Sequence, residues 1–169
     1  MSITNSEKYY GTVILRLLEN LGKEIPETNF SLSTGRSKSS FIIHGITPKS
    51  LGKGVKSSVG LFIKISNKRL SPWRYSFDKE HQDEIFELRK NYGEVFIAFV
   101  AADDGIACVN FLQLKNFLDE HHDEQEWVSV TRKRNENYRI KGNDGSLGHP
   151  LARNSFPKNI TKYFIEKIG

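Results

Sequence analysis

Apolar residues recur at spacings of three and four along four segments of the chain, which is the period of an amphipathic helix. Residues that favour helix ends bound these segments, with Asp78 as an N-cap and Gly22 and Gly93 as C-caps. Pro157 suits the first turn of the last segment. The pattern therefore predicts helices over residues 6–22, 78–93, 111–120 and 157–168.

Elsewhere the apolar residues form short runs or alternate with polar residues, as they do in β-strands. Residues 95–100 are the most apolar run and predict a buried strand, and residues 59–66 predict a central strand. The Asp-Gly pair at 104–105 predicts a hairpin that leads into residues 106–109. The segment 48–60, rich in glycine and lysine, is expected to be a loop. Further strands are predicted at 41–46, at 73–77 (an edge strand or extended arm), at 128–131 and at 138–141.

These elements together predict a single α/β domain over residues 1–169, with a mixed central sheet flanked by helices. No run approaches the roughly 18 apolar residues that span a bilayer. The first residues lack the basic and then apolar order of a signal peptide, and the one cysteine, Cys108, cannot form an internal disulfide. We therefore expect no membrane partner and a cytoplasmic location. Cys108 is expected to be an inert thiol on a buried strand.

The charge of the chain, +5 in total, is distributed unevenly. Residues 28–77 carry nine Lys or Arg and no Asp or Glu, whereas residues 78–126 carry thirteen acids and four bases. Residues 127–169 are basic again, with nine bases and three acids. Such asymmetry is typical of a surface that binds polyanions, or of two halves of one domain that attract each other.

The densest basic stretch, residues 64–75, combines four cations with short polar side chains and two aromatic residues. Lys and Arg neutralise phosphates, Ser and Asn donate hydrogen bonds to them, and Trp stacks on unpaired bases. The alternative is a solvated edge strand whose Trp73 and Tyr75 cap the core. A second basic set, which includes Arg139 and Lys141, surrounds the predicted second hairpin. The alternative for this set is an ordinary charged turn. The predicted nucleic-acid-binding residues are Lys64, Ser66, Lys68, Arg69, Trp73, Arg74, Arg132, Lys133 and Arg134.

A strand that ends in Lys64 is followed by a basic arm with Phe77, by His81 and Gln82 at a helix start, and by an apolar strand and hairpin. This order, over residues 61–110, resembles the core of PD-(D/E)XK nucleases, particularly the Gram-positive Holliday-junction resolvases. The resemblance implies a restriction-endonuclease-like fold and metal-dependent cleavage of DNA phosphodiesters. It makes Lys64 and Gln82 the catalytic candidates.

The metal-binding carboxylates of that family are missing from the matching positions. The family places one carboxylate two residues before its lysine, and Phe62 stands there. Glu19 on the first helix is only a distant match, and other acids would have to come from Asp103 and Asp104. We therefore predict no metal and no cofactor, with Mg²⁺ only if nuclease activity remains.

The sequence favours a non-catalytic nucleic-acid-binding domain on a degenerate nuclease-like scaffold, with DNA or RNA as its partner. One alternative is a divergent metal-dependent nuclease. Another is an interaction module that forms a homo-oligomer through the basic face and the acidic segment 78–126 of another copy.

Two further motifs have simpler explanations. His122 and Glu126 have the spacing of metal ligands on a helix, but the frayed end of an acidic helix accounts for them. The glycine-rich segment 142–148 lacks the Lys-Ser or Lys-Thr ending of a phosphate-binding loop and is expected to be a turn.

Overall fold

A computed structural model of the chain describes residues 1–49, 52–119, 121 and 125–168. The helices in these residues are α1 (Asn5–Glu24), α2 (Lys79–Tyr92), α3 (Phe111–Leu114) and α4 (Ser155–Ile168). The first strands are β1 (Asn29–Thr34), β2 (Ser40–Lys49), β3 (Gly52–Ser66), β4 (Trp73–Phe77) and β5 (Val95–Ala101). The remaining strands are β6 (Gly105–Asn110), β7 (Glu126–Thr131), β8 (Arg139–Gly142) and β9 (Gly145–Ser146).

The central sheet has five strands in the order β1-β2-β3-β5-β6. Its neighbouring strands are antiparallel except for β3 and β5, which run parallel because α2 lies in the connection between them. The predicted α/β class with a mixed central sheet is confirmed.

A second, fully antiparallel sheet has the order β4-β7-β8-β9. Its apolar side chains join those of α2 and α3 over one face of the central sheet, around Phe62, Phe77 and Phe99. The helices α1 and α4 cover the opposite face, around Leu17 and Ile63. The central sheet is therefore buried on both faces, and only one side of the second sheet faces the core.

The segments with strong local signals adopt the predicted structures. Asp78 caps α2 by accepting a hydrogen bond from the backbone N–H of His81 at 2.8 Å, and Gly93 ends the helix with a positive φ of 79°. The hairpins β5–β6 and β7–β8 also form where they were predicted. The first helix continues past Gly22 to Glu24, so Gly22 is not its C-cap.

The expected loop at residues 48–60 is wrong, because β2 and β3 continue through most of it as one long hairpin. The glycines of this segment indicated a loop, but Gly54 lies where β2 and β3 pack closely together. A Cβ atom at Gly54 would lie 2.9 Å from the carbonyl oxygen of Thr47. Strand β1, which pairs with β2, was not predicted at all.

The third predicted helix, 111–120, is also too long, because α3 ends at Leu114. Bonds between residues three apart then tighten the chain, as in the hydrogen bond from the backbone N–H of Phe117 to the carbonyl of Leu114. This turn buries Phe117 and Leu118 completely or nearly so. None of the described helices combines the length and the apolar character needed to cross a membrane.

Candidate nucleic-acid interface

Lys64 points toward the second sheet, on the same side of β3 as the buried Phe62. Its Nζ donates a hydrogen bond to the carbonyl of Ser76 at 2.5 Å and lies 3.3 Å from Nδ1 of His81. The same ammonium group lies 4.9 Å from the centre of the Phe77 ring. Burial lowers the pKa of Lys64 to about 8, against a smaller opposing effect of the nearby Asp78. Lys64 is thus held beneath β4 and is not presented to an external phosphate.

The catalytic carboxylates expected of a nuclease do not gather around Lys64. Phe62 is fully buried, and its ring centre lies 5.6 Å from that of His81. Glu19 is exposed on α1, which covers the opposite face of the central sheet. Neither position can therefore supply a metal ligand beside Lys64.

Asp103 and Asp104, the other candidate acids, have structural partners. Asp103 accepts a hydrogen bond from the hydroxyl of Tyr9 at 3.0 Å. Asp104 accepts two from the guanidinium of Arg132, at 2.6 and 2.9 Å, and one from the hydroxyl of Tyr138 at 2.7 Å. The hydrogen bonds from Arg132 are the main cause of the lowered pKa of Asp104. This carboxylate fastens the β5–β6 turn to the second sheet.

Gln82, the second catalytic candidate, is 3% exposed. Its amide Nε2 donates to the carbonyl of Phe77 at 3.0 Å, which joins the end of β4 to α2. The neighbouring His81 is partly exposed, and its pKa is lowered first by burial and then by the charge of Lys64. The geometry around Gln82 is that of an internal packing contact.

The two predicted basic segments meet at one end of the second sheet. The loop 67–72 precedes β4 and the loop 132–137 follows β7, and these strands are paired with Trp73 opposite Val130. The backbone N–H of Arg132 donates to Oγ of Ser71 at 3.2 Å, so the loops are in direct contact. Four cations of these loops are exposed: Lys68, Arg69, Lys133 and Arg134.

The outward side of the second sheet continues this basic surface along the strands. Arg74 on β4 and Lys141 on β8 are both paired with Ser129 of β7, which lies between them and is buried. Arg139 lies two residues from Lys141 on the same side of β8. No outward-pointing residue of the described strands β4, β7, β8 and β9 is a carboxylate.

We call this surface the basic sheet face. Its exposed cations are Lys68, Arg69, Arg74, Lys133, Arg134, Arg139 and Lys141. None of the seven pairs with a carboxylate within the part of the chain that the structure describes. The partly exposed Trp127 completes the face, with its ring centre 5.5 Å from the guanidinium carbon of Arg74.

The remaining predicted residues lie outside this face. Trp73 is 2% exposed and donates from its indole to the carbonyl of Lys68 at 2.8 Å, so its ring caps the core and is not offered to a base. Arg132 is committed to Asp104, and Ser66 accepts a hydrogen bond from the backbone N–H of Lys68 at 3.4 Å. In place of Trp73, the outward aromatic residue is Trp127, which the sequence analysis missed.

Some of the oppositely charged segments form ion pairs with each other within the molecule. Arg36 from the carboxylate-free segment pairs with Glu87 of α2 at 3.3 Å, and Arg132 pairs with Asp104. Attraction between oppositely charged segments therefore explains some of the pattern but not the unpaired cations of the basic sheet face.

No protein-family model, curated protein or solved structure matches this chain. The placement and charge of its own residues are therefore the basis for assigning a function.

Proposed function

We propose that this chain binds nucleic acid, DNA or RNA, through the basic sheet face and does not cleave it. The observation that carries the proposal is the meeting of two basic segments, more than fifty residues apart in sequence, on one surface. Of their cations only Arg132 pairs with a carboxylate among the described residues. The seven exposed cations of this face pair with no carboxylate in the part of the chain that the structure describes, which favours a polyanionic ligand.

The geometry suits contacts with several phosphates at once. Arg74 and Lys141 lie two strands apart, about 10 Å between their backbones, so their side chains would contact different phosphates. Trp127 beside Arg74 offers a partly exposed ring on which an unpaired base could stack. These contacts are made to phosphates and to the faces of the bases, which every nucleic-acid sequence has. We therefore expect little sequence specificity.

The absence of cleavage is part of the same proposal. Lys64 lies beneath β4, Phe62 occupies the position of a metal ligand, and Asp104 is bound to Arg132. The order of β3, β4, α2, β5 and β6 supports a scaffold similar to PD-(D/E)XK nucleases from which the metal-binding acids have been lost.

Fluorescence anisotropy with labelled single-stranded and duplex DNA and RNA, in EDTA, tests binding. For about four phosphate contacts on duplex DNA, log K should fall with log salt at a slope near −3.6. The double variant Arg74→Ala/Lys141→Ala removes two contacts and should reduce that slope by about 1.8. Lys158→Ala/Lys162→Ala removes the same charge from exposed positions of α4, beyond the central sheet, and should leave the slope unchanged.

Undetectable binding at about 50 mM salt would refute the proposal, as would equal losses in the two double variants. The second half of the proposal is tested by incubating the same substrates with Mg²⁺ or Mn²⁺. They should be recovered intact, and nicking that disappears in Lys64→Ala would show that catalysis survives.

A further inference from the structure

Three carboxylates that come from separate parts of the chain meet at the other end of the second sheet. Asp119 follows the turn after α3, Glu126 opens β7, and Asp144 lies in the turn between β8 and β9. One oxygen from each lies within 4.8 Å of the other two. This cluster is outside the basic sheet face, because Glu126 is paired with Phe77 and points to the core side.

Glu126 is the unusual member of the cluster. Glu126 is 6% exposed, and its Oε2 is buried without a hydrogen-bond partner among the described residues. A buried carboxylate oxygen without a donor is costly, since desolvation is then not offset by any bond. The carboxyls of Asp119 and Asp144 lie beside Glu126, so a cation bound among the three would both partner the buried side chain and offset their charge.

Like charge adds to this deficit, because carboxyl oxygens of Asp119 and Asp144 lie within 4.8 Å of an oxygen of Glu126. Asp144 and Asp119 are themselves fixed in place. The backbone N–H of Asp119 donates to Oδ2 of Asp144 at 3.0 Å, and the backbone N–H of His121 donates to Oδ1 of Asp119 at 2.7 Å. The arrangement is thus held together by the backbone in spite of like charges.

We propose that Asp119, Glu126 and Asp144 bind a hard divalent cation. Carboxylate oxygens are the ligands that Ca²⁺, Mg²⁺ and Mn²⁺ prefer. Mg²⁺ demands near-ideal octahedral geometry and gives up its water reluctantly, whereas Ca²⁺ accepts flexible and irregular shells of oxygen ligands. A cluster of carboxylates from three separate turns therefore favours Ca²⁺. Because Asp144 is exposed, water can complete the coordination shell.

The role of this cation would be structural. It would join the turn after α3, the start of β7 and the β8–β9 turn, and it would offset the repulsion among their carboxylates. The exposed His121 borders the cluster, with its Nδ1 4.0 Å from Oδ2 of Asp119. The inference does not depend on nucleic-acid binding.

Thermal unfolding of the EDTA-treated full chain near neutral pH tests the site, with Ca²⁺, Mg²⁺ and Mn²⁺ added at constant ionic strength. At about 100 times its Kd, a bound cation should raise Tm by about 5–10 °C. We expect Ca²⁺ to act at lower concentration than Mg²⁺. Tb³⁺, a luminescent substitute for Ca²⁺, should show emission sensitised by Trp127, which is adjacent to Glu126 in sequence.

The matched variants are Glu126→Gln and Glu136→Gln, the latter at an exposed position in the loop at the opposite end of the sheet. Glu126→Gln should abolish both the Tm response and the Tb³⁺ emission. Its Tm in EDTA should equal or exceed that of the parent, since a repelling charge is removed, and this excludes a simple folding defect. Glu136→Gln should retain both signals. A parent Tm that responds to pH but to none of the cations would show that a shared proton fills the cluster, and would overturn the proposal.

Discussion

Replacing Lys64 with methionine should stabilise the protein, although the sequence makes Lys64 a catalytic candidate. The side chain is held beneath β4 with its ammonium group over the ring of Phe77. Methionine has a similar length and no charge, so it can occupy the same space. The carbonyl of Ser76 would lose its donor, but Ser76 is exposed and water can replace the lysine there.

The magnitude follows from the lowered pKa of Lys64. A change from 10.5 to about 8 corresponds to about 3 kcal/mol of unfavourable free energy for the charged form at neutral pH. Water still reaches part of the side chain, and methionine loses the cation–π contact. We therefore expect a net gain of about 1–2 kcal/mol in the free energy of unfolding.

The gain should depend on pH in one direction. Because the folded-state pKa lies below the unfolded-state value, the unfolded chain binds more protons between pH 8 and 10.5, and the stability of the parent rises across that range. Below pH 8 both states are protonated and the full penalty remains. The advantage of Lys64→Met should therefore be constant below pH 8 and shrink as the pH rises toward 10.5.

Urea unfolding followed by circular dichroism at several pH values measures this difference. Lys141→Met, an exposed substitution of the same chemistry, should change stability by less than about 0.5 kcal/mol at every pH. A loss of more than about 1 kcal/mol in Lys64→Met at neutral pH would refute the reasoning. So would a gain that stays constant up to pH 10.5.

Two further substitutions test contacts that position the second sheet. Asp104→Asn should cost about 2–3 kcal/mol, because the amide keeps one acceptor oxygen for Arg132 and Tyr138, loses the charge and turns an NH2 donor toward one of these donors; the deficit should shrink in acid. The folded-state pKa of Asp104 is lowered, so its carboxylate stabilises the fold above the unfolded-state pKa of 3.8 and loses this contribution as the pH falls through the folded-state pKa. Urea unfolding at neutral and acid pH measures the change. Gly142→Ala should lower Tm and cost about 1–3 kcal/mol, because its Cβ would lie 2.3 Å from the carbonyl oxygen of Phe117. Gly148→Ala has open space and should be neutral, so equal effects at the two glycines would contradict this reasoning.

The parts of the fold that sequence predicts well are those determined by neighbouring residues. Helix α2 begins at an Asp78 cap and ends at Gly93 because those residues satisfy the helix ends directly. The β5–β6 hairpin follows from its turn residues. Strand β1 and the part of the β2–β3 hairpin between the predicted strands 41–46 and 59–66 depend on pairing with neighbouring strands, and their glycines and exposed polar residues gave no local strand signal.

The basic sheet face could be predicted only in part. The basic residues at 68–74 and 132–134 stand out in sequence, but their contact through Ser71 and Arg132 results from pairing between β4 and β7. Trp127 could have been identified from the alternation in residues 126–131, where Val128 and Val130 are buried and the residues between them point outward. Trp73 was predicted to stack on bases because it lies among cations. The alternation of buried and exposed residues along β4 instead places it in the core.

A single strand register determines both candidate sites. Pairing Phe77 with Glu126 places Glu126 on the core side, and the same register pairs Arg74 with Ser129 on the outward side. A slip of one residue would turn every side chain of β4 over, burying Arg74 and exposing Tyr75, which the apolar core excludes. The loop cations of the basic sheet face nevertheless lie at the opposite end of β7 from Glu126, about 17 Å away along a strand of six residues. That distance exceeds the Debye length of about 8 Å at physiological salt, so a cation at Glu126 should contribute little to the attraction of phosphates by the loop cations. Glu126→Gln should therefore lose its response to cations while its affinity for nucleic acid stays within about twofold of the parent.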